Sequence, residues 1–274
     1  MNKIILVLFL LPVSFSLTGH SFENKIKEYE FVFFSDKKMQ VGEELTYVVS
    51  YTFIKLGEVK LIIKDKKEIN GNVYYSTVAY INSYSGIPFV SLHQIYESRI
   101  NQNYASDFFR GIVKHDEYST FTEYSFDYKN SKSKIKMGKV NPYQLWTDST
   151  AGLTQQMQDG LSIFYYARMN LGSKKSVHVP CFVNEKYVTT KINFYTDNQK
   201  AEIDAADYDI ACLRLDGRMD FISIYGLTGY FEGWFSNDEA SIPIVAKMQV
   251  FLGAVKLELK QWKREGWIPP KYQK

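Results

Sequence analysis

Cys181 and Cys212 are the only cysteines in the chain, too few for a disulfide scaffold or a cysteine-rich zinc site. The fold must therefore rest on a hydrophobic core. Histidine is equally sparse: His20, His93, His115 and His178 are far apart, and none has the two-histidine helical spacing that grips zinc. No metal site and no cofactor are expected. Charge of one sign is also missing. The formal net charge of +3 includes Lys3, and the remaining cations are scattered among carboxylates instead of forming a stripe, which argues against nucleic acid as a partner. Past residue 11 no apolar run approaches the ~20 residues of a bilayer-spanning helix, so the chain is not expected to span a membrane.

What is abundant is aromatic. With 21 Tyr and 19 Phe against 7 Pro, the composition favours a pleated, half-buried surface, since rings and β-branched side chains pack well on sheets. At the start, Lys3 precedes the apolar run Ile4 to Leu11, which breaks at Pro12 and turns polar by Ser14. That is the layout of a secretory leader, read here as residues 1–21, with small residues at Gly19 and Ser21 before the cut. No cysteine follows for lipid attachment, so the expected location is the periplasm or cell envelope without a lipoprotein anchor. An exported chain meets an oxidising compartment, which permits Cys181 and Cys212 to pair; two separate buried thiols are the alternative.

Residues 22–40 read as a polar N-terminal extension around an island from Tyr29 to Phe34. A β domain is expected over 41–264 and a tail over 265–274. Leu45, Tyr47, Val49, Tyr51 and Phe53 alternate with polar residues, the period of a strand with one buried face. Val59, Leu61 and Ile63 answer them after Gly57, and Asn70-Gly71 signals a tight hairpin turn before the run Val73 to Ile81. Strand-like segments continue at 94–100, 108–115, 118–128, 133–140, 177–183, 187–195, 210–216, 226–235, 242–250 and 254–262, with a turn expected at Asp197-Asn198. One short central helix is expected, with Asp159 as its cap, Leu161, Phe164, Tyr165 and Arg168 at helical spacing, and Gly172 as its stop. The predicted fold is mainly β: one large antiparallel sheet system, whether curved sheet, open barrel or sandwich, with that helix covering it.

Familiar chemistry is absent. There is no Gly-x-Ser-x-Gly elbow, and the Ser131 to Lys134 spacing lies in a lysine-rich polar turn. His115-Asp116-Glu117 reads as a solvated bend, because adjacent residues of an extended chain face opposite ways. The acids Glu202, Asp204, Asp207 and Asp209 fail the EF-hand pattern and read as a solvated loop. Gly226-Leu227-Thr228-Gly229 precedes a strand, whereas phosphate loops need a helix N-terminus.

The densest remaining signature is the run from Gly226 through Trp234, Ser236, Asp238 and Glu239 to Ile242-Pro243. Taken with Gly42-Glu43-Glu44-Leu45-Thr46-Tyr47 and the helix start Asp159-Gly160-Leu161-Ser162, it resembles the exported bacterial family of domain of unknown function 3108. Gly160 stands where that family commonly has proline. The resemblance implies a fold and an envelope location over Val41 to Trp262, and brings no catalytic residues with it.

Three uses suit such a chain. The first is a non-catalytic envelope binding or assembly-support protein that accepts an apolar ligand, a lipid, an extended polypeptide or an envelope protein, with Tyr47, Tyr51, Phe231 and Trp234 as the aromatic lining. The second is a hydrolase of an envelope polymer built on two distant carboxylates such as Glu97 and Glu232. The third is a scaffold whose sheet edge pairs with a partner strand.

Overall fold

Fourteen antiparallel strands follow the alternation almost segment by segment. The computed structural model describes residues 37–87, 91–223, 226–250 and 253–273; the leader and most of the N-terminal extension lie outside them. In chain order the strands are β1 (Glu44–Tyr51), β2 (Ile54–Ile69), β3 (Asn72–Ser83), β4 (His93–Asn101), β5 (Ser106–Lys114), β6 (Ser119–Asp127), β7 (Lys132–Lys139) and β8 (Gln144–Gly152). The helix α1 (Ser162–Asn170) follows, then β9 (Ser176–Val183), β10 (Lys186–Ala201), β11 (Ile210–Met219), β12 (Gly229–Ser236), β13 (Pro243–Gln249) and β14 (Ala254–Lys263).

They form one sheet in the order β8-β7-β6-β5-β4-β3-β2-β1-β14-β13-β12-β11-β10-β9. Every neighbour is a hairpin partner except β1 and β14, which join the two meanders in register from Glu44↔Lys263 to Tyr51↔Val255. Inward side chains follow the strand period of two. Leu45 and Tyr47 of β1, Val59 and Ile63 of β2, and Tyr75 and Ala79 of β3 all enter the core.

The sheet curls without closing, and its β9 edge meets the other meander through side chains and a linker. Phe182 of β9 stands edge-on against Tyr124 and Phe126 of β6, with ring centroids 4.9 and 5.9 Å away. Gln158, in the linker between β8 and α1, bridges the β9 edge: its N–H donates to Pro180 at 2.9 Å and its carbonyl accepts from Phe182 at 2.8 Å. The Gln158 side-chain amide donates to the Tyr104 carbonyl at 2.9 Å. The linker thus ties the last strand of one meander to the middle of the other.

Three local expectations change. β8 had been missed; its sequence Gln-Leu-Trp-Thr-Asp-Ser-Thr-Ala-Gly is largely exposed on both faces, so no one-sided apolar period marks it. The turn expected at Asp197-Asn198 is a bulge, because the β10–β11 register jumps between Phe194 and Asn198 while the strand runs on to Ala201. The helix itself begins at Ser162. Asp159 nonetheless ties down its start, since its Oδ1 accepts the N–H groups of Leu161 and Ser162, each at 2.7 Å.

Candidate functional site

The inner face of the curled sheet is not filled throughout. A cavity of about 360 Å³ lies between α1 and the strands β1 to β3 and β9 to β14, within the size range of small-molecule sites. Its wall is almost wholly apolar. Tyr47 and Leu61 contribute from one meander, Leu215, Phe231 and Leu257 from the other, and Phe164 from the helix. Ile163 and Ala167 share the helical face of Phe164, one turn apart, so the helix forms one side of the chamber.

The opposite side of α1 is held by a buried ion pair. Arg168, 1% exposed, donates Nη1 to Glu43 Oε1 at 2.7 Å and Nη2 to Oε2 at 3.1 Å, and it also reaches the Ala240 carbonyl at 3.0 Å. Arg264 donates to the same Glu43 carboxylate. Lys38 Nζ donates to the Arg168 carbonyl at 2.8 Å. Burial, reinforced by the Arg168 charge, brings the Lys38 ammonium down to about 8. A buried bidentate pair of this kind adds little net stability, but removing one partner strands a charge. Its consequence here is positional: it fixes α1 and so the cavity wall.

At the other end of the helix start, Asp159 is fully buried. Ser98 Oγ donates to its Oδ2 at 2.6 Å, and Ser162 Oγ to Gln158 Oε1 at 2.8 Å. Burial raises the Asp159 carboxyl above its usual range, although the hydrogen bonds it accepts pull the other way.

Of the residues chosen from sequence, Tyr47 and Phe231 line the cavity. Tyr51 is not part of the wall; its ring lies 3.5 Å from where a Cβ on Gly253 would stand. Trp234 faces away from it: the indole N–H donates to Gln199 at 3.0 Å, and the Lys247 ammonium sits 5.2 Å above the ring. The period of two explains this, since Phe231, Gly233 and Phe235 point inward and Trp234 cannot. Gly233 itself makes room for a neighbouring ring, because a Cβ there would come within 2.8 Å of Phe235.

Cys181 and Cys212 are free, buried thiols. They do not pair, because Cys181 registers with Val188 and Cys212 with Gln199, at opposite ends of the intervening β10. Burial pushes both thiols up to about 12. The carboxylates Glu97 and Glu232 are not brought together either. Both sit on the outer face of strands with five others between them, Glu97 3.9 Å from Lys64 and Glu232 2.7 Å from Arg214. Among the described residues no cluster of His, Cys, Asp or Glu could hold a metal ion. The loop acids are engaged locally, Glu202 and Asp209 with Lys200 at 3.1 and 3.0 Å.

Sequence comparison decides the family. The profile of the proteins of unknown function DUF3108 matches residues 46–260. The chain belongs to that family. The three segments that carry the resemblance meet in space around α1: Glu43 comes from the first, the helix start from the second, and the Ala240 carbonyl from the third. Within the third motif, Asp238 Oδ1 accepts from Ser236 Oγ at 2.8 Å and from the N–H groups of Ala240 and Ser241, each at 3.0 Å. Its Oδ2 accepts from Trp267 Nε1 at 2.7 Å. The motif therefore builds the β12–β13 turn that presents Ala240 to Arg168.

Among solved structures, a β-barrel-like protein of domain of unknown function DUF1849 from Brucella abortus is 11% identical, with a TM-score of 0.46 over 81% of this chain and 97% of that one. A Bacteroides fragilis protein with a YmcC-like fold is 8% identical, with a TM-score of 0.35 over 82% and 97%. No curated protein matches the chain significantly. Among the described residues no helix is long and apolar enough to cross a membrane.

The residues that sequence reading passed over are Glu43 and Arg168. Their signal was available: a carboxylate just before a strongly alternating strand, and an arginine on the helical face that carries Leu161 and Tyr165.

Proposed function

We propose that this DUF3108 protein is a non-catalytic binding protein of the cell envelope that takes up one slim apolar molecule, such as the acyl chain of a lipid. The observation that supports it is the apolar chamber of about 360 Å³ beside α1. Each methylene moved from water into such a wall contributes about 0.8 kcal/mol, so affinity is expected to climb with chain length until the chamber is full. The envelope location rests on the leader read at residues 1–21.

The test is displacement of an environment-sensitive fluorescent fatty acid by unlabelled acids of graded length, with native mass spectrometry of the purified chain alongside. Saturable one-to-one binding that tightens and then levels off with length is expected. Indifference to chain length, or no uptake of the probe, would count against the reading.

The edge-scaffold reading has one observation in its favour. β8 pairs only with β7 and carries exposed Leu145 and Trp146, an uncovered strand of the kind that accepts a partner strand. A pull-down in which Trp146→Lys loses a partner retained by wild type would support it. The hydrolase reading draws no support from the separation of Glu97 and Glu232.

A further inference from the structure

Hairpin connections alternate between the two ends of an antiparallel meander. The turns β1–β2, β3–β4, β5–β6, β7–β8, β9–β10, β11–β12 and β13–β14 therefore share one end of the curled sheet. The cavity reaches that end beside four of them, β1–β2, β3–β4, β11–β12 and β13–β14, because its wall includes Leu56, Leu92, Met219, Leu227, Met248 and Val255, each at or near one of these four. The ion pair of Glu43 and Arg168 lies at the other end, by the β12–β13 turn.

The two ends differ in their turn chemistry. At the far end the β2–β3 hairpin uses Asn70-Gly71, both at positive φ (52° and 76°), as a tight turn prefers. At the cavity end the β1–β2 hairpin uses Thr52-Phe53. Thr52 is held at φ 52°, a strained value for a β-branched residue, and Phe53 projects with 91% of its surface exposed. Turn formation alone does not select these residues. Ile222, 60% exposed, Ile54 and Leu92 project from the same set of turns or their margins.

Charge is withheld from the four turns that border the cavity. The only Asp, Glu, Lys or Arg in the four connecting segments, residues 52–53, 84–92, 220–228 and 250–253, is Asp220, and it is paired with Arg218 at 2.8 Å. At the same end the β5–β6 turn carries Asp116-Glu117, on strands that give no residue to the cavity wall, and the β9–β10 turn carries Glu185, which accepts from the Tyr124 hydroxyl at 2.7 Å. At the far end the connections are densely charged, with Glu202, Asp204, Asp207 and Asp209 in one and Lys174-Lys175 in another.

We propose that the cavity end docks on a lipid bilayer, with Phe53, Ile54, Leu92 and Ile222 entering the headgroup boundary, so that an apolar molecule passes between membrane and chamber without crossing water. This rests on the ligand-binding reading for its purpose but not for its physics. Separate apolar points without charge suit a fluid interface, which admits side chains to a depth of roughly 5–10 Å; a charged tip would be costly to dehydrate there. A second copy would instead need two such sets of tips to interdigitate.

The experiment is flotation of the chain with vesicles of phosphatidylcholine, with and without phosphatidylglycerol. Phe53→Ser/Ile222→Ser is the test variant. Ile69→Ser/Ile268→Ser, exposed apolar residues at the far end, is the control, and far-UV circular dichroism checks that both fold. Wild type and the control are expected to float with both kinds of vesicle, and the tip variant to lose roughly tenfold or more in partitioning. Absence of wild-type partitioning, or equal partitioning by wild type and tip variant, overturns the proposal. A concentration-dependent dimer dissolved by the tip variant, without vesicle binding, also overturns it and assigns the tips to self-association. Probe uptake is measured separately in vesicle-free solution, where the tip variant is expected to bind as wild type does. Failure of the chamber and failure of the docking end are thereby told apart.

Discussion

One part of the curled sheet is filled with aromatic rings, whereas the part beside it encloses space. Across β4 to β6, Tyr96 stacks on Phe109 at 5.8 Å and Phe109 on Tyr124 at 5.4 Å, and Phe182 from β9 seals the row. Around the chamber the apolar character is the same, yet the facing positions include Ala167 on α1 and Ala246 on β13. Polarity does not separate the two regions, and rings alone do not either, since Phe164, Phe231 and Phe235 also line the chamber. Native interiors are close-packed, so the open region beside a tightly packed one is the room that the proposed apolar ligand would fill. Helix α1 stands between them, with Tyr165 and Arg168 packed on one side and Ile163, Phe164 and Ala167 toward the chamber.

The largest effect is expected from releasing that helix. Glu43→Gln leaves the buried Arg168 without its carboxylate and should cost about 3–5 kcal/mol, read as a fall in urea midpoint at unchanged slope. A cost below 1 kcal/mol would mean that α1 is held by its apolar contacts instead. Truncating the ring that closes the filled row comes next. Phe182→Ala should cost about 3–5 kcal/mol because it opens a void in a packed region, while Phe231→Ala, beside space that already exists, should cost about 1–2 kcal/mol. Equal losses would erase the distinction between the two regions.

The reverse substitution tests the same distinction with a smaller effect. Ala79→Phe forces a ring into the filled region, where Ala79 is fully buried between Leu61 and Tyr96, and should cost about 1–3 kcal/mol through overpacking. Ala246→Phe places the same ring in the chamber, where it should cost less than 1 kcal/mol and abolish probe uptake. It should leave vesicle flotation intact. If both variants destabilise alike, the chamber is not the open space described here.

Much of the architecture was legible because a half-buried antiparallel sheet writes its pattern into every second residue. Leu45, Tyr47 and Val49 announced β1, and Val255, Leu257 and Leu259 announced β14, without any knowledge of their mutual pairing. β8 was invisible for the same reason: an edge strand exposed on both faces has no such period. The site was less legible. Tyr47 and Phe231 were identifiable as apolar and inward, but Trp234 was assigned to the same lining from its place in a dense motif, and one residue of offset sends it to the outer face. The emptiness of the chamber could not be read at all, because it depends on which small residues from α1 and β13 come to face each other across the sheet. The pairing of Glu43 with Arg168, 125 residues apart, is likewise a product of the fold.

The smallest expected effect concerns the acid where α1 begins. Burial raises the folded-state value for Asp159 above the 3.8 of an unperturbed carboxyl. Between these two values the folded chain holds a proton that the unfolded chain has released, so stability falls as pH rises through that window. Below it both states are protonated, and above it the cost of a buried charge is fully present. Asp159→Asn retains an oxygen to accept the N–H groups of Leu161 and Ser162 and removes the charge. The difference in stability between variant and wild type cancels the other carboxylates, which titrate in both. It should shift in favour of the variant as pH is raised from about 4, as followed by urea denaturation at successive pH values. A difference that is flat with pH, or that shifts toward wild type, would show that the three donors around Asp159 outweigh its burial, and that the carboxylate is held ionised as an ordinary helix cap.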